Sequence, residues 1–192
     1  MGLTMLDLNS EARQQTLGYG NGPVSRLPRI WIGFILAFGF LVAEITEVMR
    51  GNESAVGLYT ITAAVLGWSY WFFCIHRFHK ILGQISPHVQ GQSIYPISPR
   101  QAVGYHLIPL YNLFWVFEWT KAFVSFLKRR TSVRAGSGGG LGTILLLSMI
   151  AMRVDGFIGL SCLFGFALYV SRKLRQAVAE HESARGAVGV FT

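Results

Sequence analysis

The chain has 192 residues, of which 52% are hydrophobic and 14% are charged, and its mean hydropathy is +0.42. A soluble domain carries about 25% charged residues, so this composition excludes an ordinary water-soluble protein and indicates a membrane protein. The net charge is +8, with basic clusters just outside the apolar runs and aromatic residues inside them. We therefore expect a bilayer with an anionic cytoplasmic leaflet as the partner of the basic residues, and no nucleic acid.

The first half of the chain predicts two membrane spans. Residues 1–29 are polar and predict a cytoplasmic N-terminal tail, ahead of a single helical membrane domain over residues 30–175. The apolar run of residues 30–48 is long enough, at about 1.5 Å per residue, to cross a hydrocarbon core of about 30 Å. A second run over residues 55–75 ends in aromatic and basic residues, Trp68 to Lys80, which is typical of an interfacial aromatic belt.

A polar linker over residues 83–99 leads into an apolar stretch, residues 98–130, that contains polar and charged residues. Pro109 cannot donate a backbone hydrogen bond, so we expect a helix break there, with Asn112 satisfying freed backbone groups. Polar residues then recur at intervals of three and four, at Glu118, Lys121, Ser125 and Lys128. This spacing predicts an amphipathic helix that lies in the membrane interface or packs its polar face against neighbouring spans.

The last apolar block is interrupted by the sequence Arg153, Val154, Asp155, Gly156, and residues 176–192 predict a cytoplasmic C-terminal tail. If residues 98–130 formed a simple third span, the basic run of residues 128–134 would lie outside the cell, against the positive-inside rule. The sequence therefore predicts an all-α polytopic membrane protein with four spanning helices plus a broken or re-entrant central segment. The alternative is four simple spans with the central segment as span three.

Charged residues near the far ends of the first and fourth spans form a candidate site. Charges in or near hydrocarbon are costly unless they are paired, so we expect an intramembrane ion-pair cluster there. Its members are Glu44, Glu47, Arg50, Arg153 and Asp155. The cluster is interpreted either as an interhelical latch or as an ion or proton site.

Three histidines, His76, His79 and His106, are expected near the inner face. Two histidines on facing helices can ligate a haem, and the spacing of His76 and His79 also suits a metal ion. Histidines that flank a span are also common interfacial groups, so the pattern alone predicts no cofactor and leaves haem as an open alternative.

The chain shows no catalytic triad, paired carboxylates, phosphate-binding loop or zinc-ligand spacing, and we expect no enzyme. The first functional hypothesis is a non-catalytic accessory subunit, assembly factor or scaffold of a larger membrane complex. The second is a small transporter or channel that uses the broken segment at Pro109 and Asn112. The third is a haem or quinone redox protein.

The sequences WFFCIHRFHKIL and SPRQAVGYHLIPLYNLFWVFEW resemble an uncharacterised bacterial multi-pass membrane family known as domain of unknown function 4328. The resemblance covers Trp68 to Lys128 and is carried by Arg77, the residues Pro99 to Val103, and Ile108, Pro109 and Asn112. A tryptophan-rich WVFEW replaces a further proline expected in many relatives. The resemblance implies a polytopic protein of the bacterial inner membrane, here expected with both termini cytoplasmic, and it implies no known activity.

Overall fold

The structure is a computed structural model that describes residues 17–19, 24–51, 57–89, 92–93 and 95–188. Most of these residues are helical, and three short strands form an antiparallel sheet in which β2 pairs with both β1 and β3. The helices are α1 (Trp31–Met49), α2 (Leu58–Ile85), α3 (Pro99–His106), α4 (Pro109–Arg130), α5 (Gly138–Val154) and α6 (Gly156–Val188), and the strands are β1 (Leu17–Tyr19), β2 (Pro87–Val89) and β3 (Gln92–Ser93).

Three of the helices, α1, α2 and α6, are long and apolar enough to cross a membrane, and α5 is a shorter apolar helix. The helical membrane class is thus supported by the structure. Strand β1 lies within residues 1–29, the predicted N-terminal tail, and pairs with β2 of the predicted linker. The predicted C-terminal tail begins inside α6, where Ala177 is still buried.

The break between α5 and α6 falls at Asp155, inside the predicted turn. Asp155 Oδ1 accepts a hydrogen bond of 2.8 Å from the Ile158 N–H, which caps the first turn of α6. A Cβ at Gly156 would collide with the ring of Phe40, so glycine lets the start of α6 approach α1 closely. The turn between α5 and α6 is therefore held by the Asp155 cap and by the close contact of Gly156 with Phe40.

The central stretch folds into two helices, and the break lies before Pro109 rather than over residues 109–112. Helix α3 ends at His106, Leu107 and Ile108 form the junction, and Pro109 is the first residue of α4. The first position of a helix needs no N–H donor, and the residue before proline is pushed into an extended conformation, as Ile108 is. Asn112 is therefore helical, and its backbone N–H donates to the Ile108 carbonyl at 2.8 Å.

Helices α3 and α4 form an antiparallel hairpin. Tyr95, just before α3, packs its ring 5.4 Å from that of Phe126 near the end of α4. Tyr105, at the end of α3, packs 4.9 Å from Tyr111 and 4.7 Å from Trp115 in the first half of α4. The chain therefore enters and leaves this hairpin at the same end of the bundle.

Glycines set the closest helix contacts elsewhere in the bundle. A Cβ at Gly33 of α1 would collide with the Phe164 ring of α6, and one at Gly159 of α6 would collide with the backbone of Met152 in α5. Gly142 of α5 lies in the same way against Phe117 of α4. These contacts place α6 between α1 and α5, with α4 on the other side of α5.

Helix α4 is amphipathic, as predicted, but it buries its apolar face rather than its polar one. The polar positions Glu118, Lys121, Ser125 and Lys128 are exposed. The aromatic residues of the opposite face are buried, namely Trp115, Trp119, Phe123 and Phe126. The interior of the bundle is apolar, so it suits these rings. Polar side chains buried there would lack hydrogen-bond partners.

Exposed large apolar side chains occupy only one half of the described bundle, which we call the apolar band. They lie on α1, on α2 up to Phe73, at residues 107–114, on α5 from Ile144, and at Ile158. Contacts of Asn112 with Met149 and of Gly159 with Met152 place these segments at the same level. The other half, the basic half, has a buried core and carries most of the described basic residues, which are Arg26, Arg29, Arg77, Lys80, Arg100, Lys121, Lys128, Arg129, Arg130, Arg134, Arg172, Lys173 and Arg175.

Candidate functional site

Glu47 joins the end of α1 to the start of α2, at the end of the apolar band that lies away from the basic half. Its carboxylate is buried and accepts a hydrogen bond of 3.1 Å from the Tyr59 backbone N–H in the first turn of α2. Arg50 donates to the Tyr59 hydroxyl at 3.1 Å and lies over the Tyr59 ring at 5.1 Å. A carboxylate at a helix N-terminus meets free N–H donors and the positive end of the helix dipole. Glu47 thus serves as the cap of α2.

The other predicted members of the ion-pair cluster lie at the α5–α6 break. The Glu44 carboxylate lies near Asp155 and near the Gly156 backbone N–H. Arg153 is exposed, and within the described ranges no ion pair joins it to Glu44 or Asp155. An ion pair of the structure lies elsewhere, between exposed Lys121 and Glu118 at 3.6 Å. Backbone N–H groups at helix N-termini are thus nearby partners of the carboxylates of Glu44, Glu47 and Asp155.

The predicted turn residues lie at the tip of the α3–α4 hairpin. The Asn112 amide nitrogen donates to Met149 Sδ at 3.6 Å, while its buried Oδ1 has no partner among the described residues. The side chains around the tip point outward, with Leu110 79% and Phe114 72% exposed. The tip therefore presents an apolar surface.

Of the three predicted histidines, the structure brings two together and leaves the third apart. His79 on α2 is fully buried and His106 at the end of α3 is 5% exposed, whereas His76 is only half-buried. The Trp119 ring lies 5.5 Å from that of His79 and 6.4 Å from that of His106. Among the described residues, no group of three or more histidine, cysteine or acidic side chains could hold a metal ion.

His79 uses one ring nitrogen and leaves the other without a partner. Its Nδ1 lies 3.0 Å from the buried hydroxyl of Tyr95, whose backbone N–H donates to Ser86 Oγ at 3.0 Å. Burial raises the pKa of Tyr95 above its ordinary value, so the phenol keeps its proton. The His79 Nε2 atom is buried and has no hydrogen-bond partner in the described part of the chain.

His106 shows the same asymmetry. Its Nδ1 lies 2.7 Å from the Ala102 carbonyl oxygen and 3.2 Å from the indole nitrogen of Trp115. The carbonyl needs a proton on Nδ1 and the indole needs a lone pair, so one nitrogen satisfies only one of them. The shorter contact assigns the proton to Nδ1, with the Ala102 carbonyl as acceptor. The buried Nε2 then carries the lone pair and has no partner among the described residues.

Two tryptophans complete this cluster of His79, Tyr95, His106, Trp71 and Trp119, which we call the histidine–tryptophan cluster. Both indoles are fully buried, and both indole N–H groups lack a partner among the described residues. The Trp71 ring lies 6.2 Å from that of His106. The Trp71 and Trp119 rings lie 6.3 Å and 5.8 Å from that of Phe166 on α6. Aromatic rings therefore lie beside both histidines.

The sequence pointed to His79 and His106 but not to the rest of this cluster. Trp71 lies in the predicted interfacial belt, yet it is fully buried. Tyr95 lies in a polar, proline-rich segment that carries no periodic signal. Its position follows from the antiparallel α3–α4 hairpin, which only the tertiary structure defines.

The fold and the distribution of exposed side chains define a multi-helix protein with three helices that are long and apolar enough to span a membrane. Comparisons of the chain with protein-family models, with curated proteins and with solved structures find no match.

Proposed function

We propose that the apolar band lies in the bilayer of a bacterial inner membrane and that the basic half is cytoplasmic. The exposed apolar residues match a hydrocarbon environment, and the basic residues match the positive-inside rule. Helices α1, α2, α5 and α6 are then the four spans, and the α3–α4 hairpin is re-entrant. Helix α5, with 17 residues, reaches about 25 Å and crosses where the bilayer thins slightly.

Contacts at the basic half support the re-entrant arrangement. Ser132, in the linker after α4, binds Glu180 through its backbone N–H at 2.9 Å and also through its hydroxyl. A simple third span would put Ser132 outside the membrane and Glu180 inside, on opposite sides of the bilayer. At the same end, the Ser25 N–H donates to Gln84 Oε1 at 2.8 Å, which joins the segment before α1 to the end of α2.

Within this topology, the chain acts as a non-catalytic accessory subunit, assembly factor or scaffold of a membrane complex. The observation that carries this proposal is the filled aromatic core. Among the described acidic, lysine and arginine side chains, Glu47 alone is buried, and it caps a helix. The apolar tip of the α3–α4 hairpin is a surface on which a membrane helix of a partner can pack. Leu110 and Phe114 are the most exposed residues of this tip.

A small transporter or channel is the second candidate function, and the buried Oδ1 of Asn112 is the observation that favours it. Polar residues inside a membrane are rare and mark substrate and ion pathways in many transporters. The exposed apolar side chains around the hairpin tip favour lipid or protein contact over a water-filled pathway.

Isolation of the tagged chain in mild detergent, followed by native mass spectrometry, tests the subunit proposal. We expect the chain in a stable complex with a larger membrane protein. The double variant Leu110→Ala with Phe114→Ala should release this partner, whereas the matched pair Ile35→Ala with Phe38→Ala on α1 should retain it. A homo-oligomer without a partner, which transports solute after reconstitution, would favour the second function instead.

A further inference from the structure

Four basic residues lie where the segment before α1 meets the second half of α2. We call them the α1–α2 basic patch, and they are Arg26, Arg29, Arg77 and Lys80. The Ser25 N–H donates to Gln84 Oε1 at 2.8 Å. The Tyr70 hydroxyl donates to the Arg29 carbonyl oxygen at 2.7 Å. Tyr70, Arg77 and Gln84 recur every seven residues and share one face of α2, so the segment before α1 runs along the face that carries Arg77.

A pair of stacked aromatic rings holds two guanidinium groups of this patch. The charge of Arg29 lies near the Tyr70 hydroxyl. The Tyr70 ring stacks on that of Phe73 at 5.7 Å, and the Arg77 guanidinium lies 5.4 Å from the centre of the Phe73 ring. Arg77 is half-buried, because its side chain packs against this ring instead of extending into solvent. Arg29 and Arg77 are therefore both positioned at the same two rings.

No acidic residue of the two segments neutralises the α1–α2 basic patch. The sequence has no aspartate or glutamate in residues 12–43 or 54–117. Within the described part of the chain, no ion pair involves any residue of the patch. The basic residues at the end of α4 differ, since Ser132, which follows them, binds Glu180. The uncompensated charge of the patch favours an anionic partner from outside the described chain.

Exposed apolar side chains continue from the patch along both helices. Trp31, Ile35 and Phe38 are exposed on α1, and Phe73 and Leu66 are exposed on α2. Trp31 lies two residues after Arg29, and tryptophan is typical of the headgroup level of a bilayer. Cations at the end of an exposed apolar surface match a phospholipid, which carries a charged headgroup on fatty chains, whereas a soluble anion would use the cations alone.

We propose that the α1–α2 basic patch binds one anionic phospholipid of the cytoplasmic leaflet, whose fatty chains lie along the exposed apolar side chains of α1 and α2. Arg29 and Arg77 lie nearest the apolar band and donate to the phosphate oxygens, because a guanidinium group binds phosphate through two parallel N–H donors. Arg26 and Lys80 lie further toward the cytoplasm and add attraction to the headgroup. This inference rests on the proposed placement of the apolar band in the bilayer.

Native mass spectrometry of the full chain in mild detergent tests the site, with phosphatidylglycerol and phosphatidylcholine of identical fatty chains as probes. We expect one phosphatidylglycerol per chain to bind at least about 10-fold more tightly than phosphatidylcholine, and inorganic phosphate not to displace it. Arg29→Gln with Arg77→Gln should weaken phosphatidylglycerol binding by at least about 10-fold, because each basic residue near an anionic lipid contributes a factor of about five. Lys128→Gln with Arg129→Gln is the matched control. It removes the same charge from the same half of the molecule and should weaken binding by less than about threefold, because salt screens distant charges.

Crosslinking of the wild-type chain with a photoactivatable phosphatidylglycerol adds a readout that depends on no variant, and it should label residues 26–38 and 66–80. Equal affinity for the two lipids, equal loss in the two double variants, displacement by inorganic phosphate, or labelling confined to other residues would overturn the proposal.

Flotation of the chain with phosphatidylcholine vesicles tests the bilayer placement separately. A chain that floats but shows no preference for phosphatidylglycerol contradicts the lipid site alone. A chain that does not float contradicts the placement of the apolar band, and the lipid site with it.

Discussion

Two glycines of α1 have opposite surroundings, although they lie on the same helix. A Cβ at Gly33 would meet the Phe164 ring, whereas a Cβ at Gly39 would meet no atom within 4 Å. We expect Gly33→Leu to destabilise the protein by about 1–3 kcal/mol, because a side chain there forces α1 away from α6. Gly39→Leu should be neutral or slightly stabilising. Thermal unfolding of both variants in detergent measures the difference, and equal stabilities would contradict the α1–α6 contact.

Carboxylates at two positions should differ in their contribution to stability. Glu47→Ala removes a buried acceptor from the Tyr59 N–H and should cost about 1–3 kcal/mol. Glu118→Ala removes an exposed ion pair with Lys121 and should change stability by less than about 1 kcal/mol. Chemical unfolding of the two variants in the same detergent checks the order. A larger loss at Glu118 would show that the exposed pair matters more than the cap.

Most individual side-chain partners were beyond what the sequence could predict. It identified the charged residues at the far end of the apolar band, but it did not predict that Glu47 and Asp155 would accept hydrogen bonds from helix N-termini. Hydrophobic periodicity reports which face of a helix is buried, and it does not report which backbone N–H groups a neighbouring helix end leaves free.

At the scale of elements, α3 depends on its N-terminal cap because the helix has only eight residues. Ser98 Oγ accepts from the Gln101 N–H at 3.2 Å, and the Gln101 side chain accepts from the Ser98 N–H at 3.1 Å. Ser98→Ala should cost about 0.5–2 kcal/mol through loss of this capping box. Ser125→Ala, on the exposed face of α4, is the control and should have little effect. Hydrogen exchange in α3 should rise only in Ser98→Ala, and unchanged exchange would contradict the capping role.

Helix positions were more predictable than helix junctions. The polar spacing of residues 118–128 predicted the amphipathic α4, and the burial of Trp119 with exposure of Lys121 confirms it. The break near Pro109 was also predicted, but it lies at Leu107 and Ile108 because proline is favoured at the start of a helix and disfavours helical backbone in the residue before it. The sequence could not predict which face of α4 is buried, because this depends on neighbouring helices that are distant in sequence.

At the scale of the whole molecule, the two halves of the bundle have different surfaces and different cores. The apolar band exposes large apolar side chains around its described surface, whereas the basic half buries its apolar residues and exposes lysine and arginine. The charge pattern of the sequence predicted this division. The contact between Ser132 and Glu180, 48 residues apart, could not be predicted, because it depends on how the hairpin returns.

In the proposed topology, the α3–α4 hairpin enters and leaves the membrane on the cytoplasmic side. Cysteine labelling in intact cells tests it directly, in a background where Cys74 and Cys162 are replaced by serine. With a membrane-impermeant maleimide, Arg153→Cys should be labelled from outside, whereas Ser132→Cys and the inner control Lys80→Cys should be labelled only after permeabilisation. Labelling of Ser132→Cys in intact cells, with Lys80→Cys still protected, would contradict the re-entrant hairpin and make the central segment a third span.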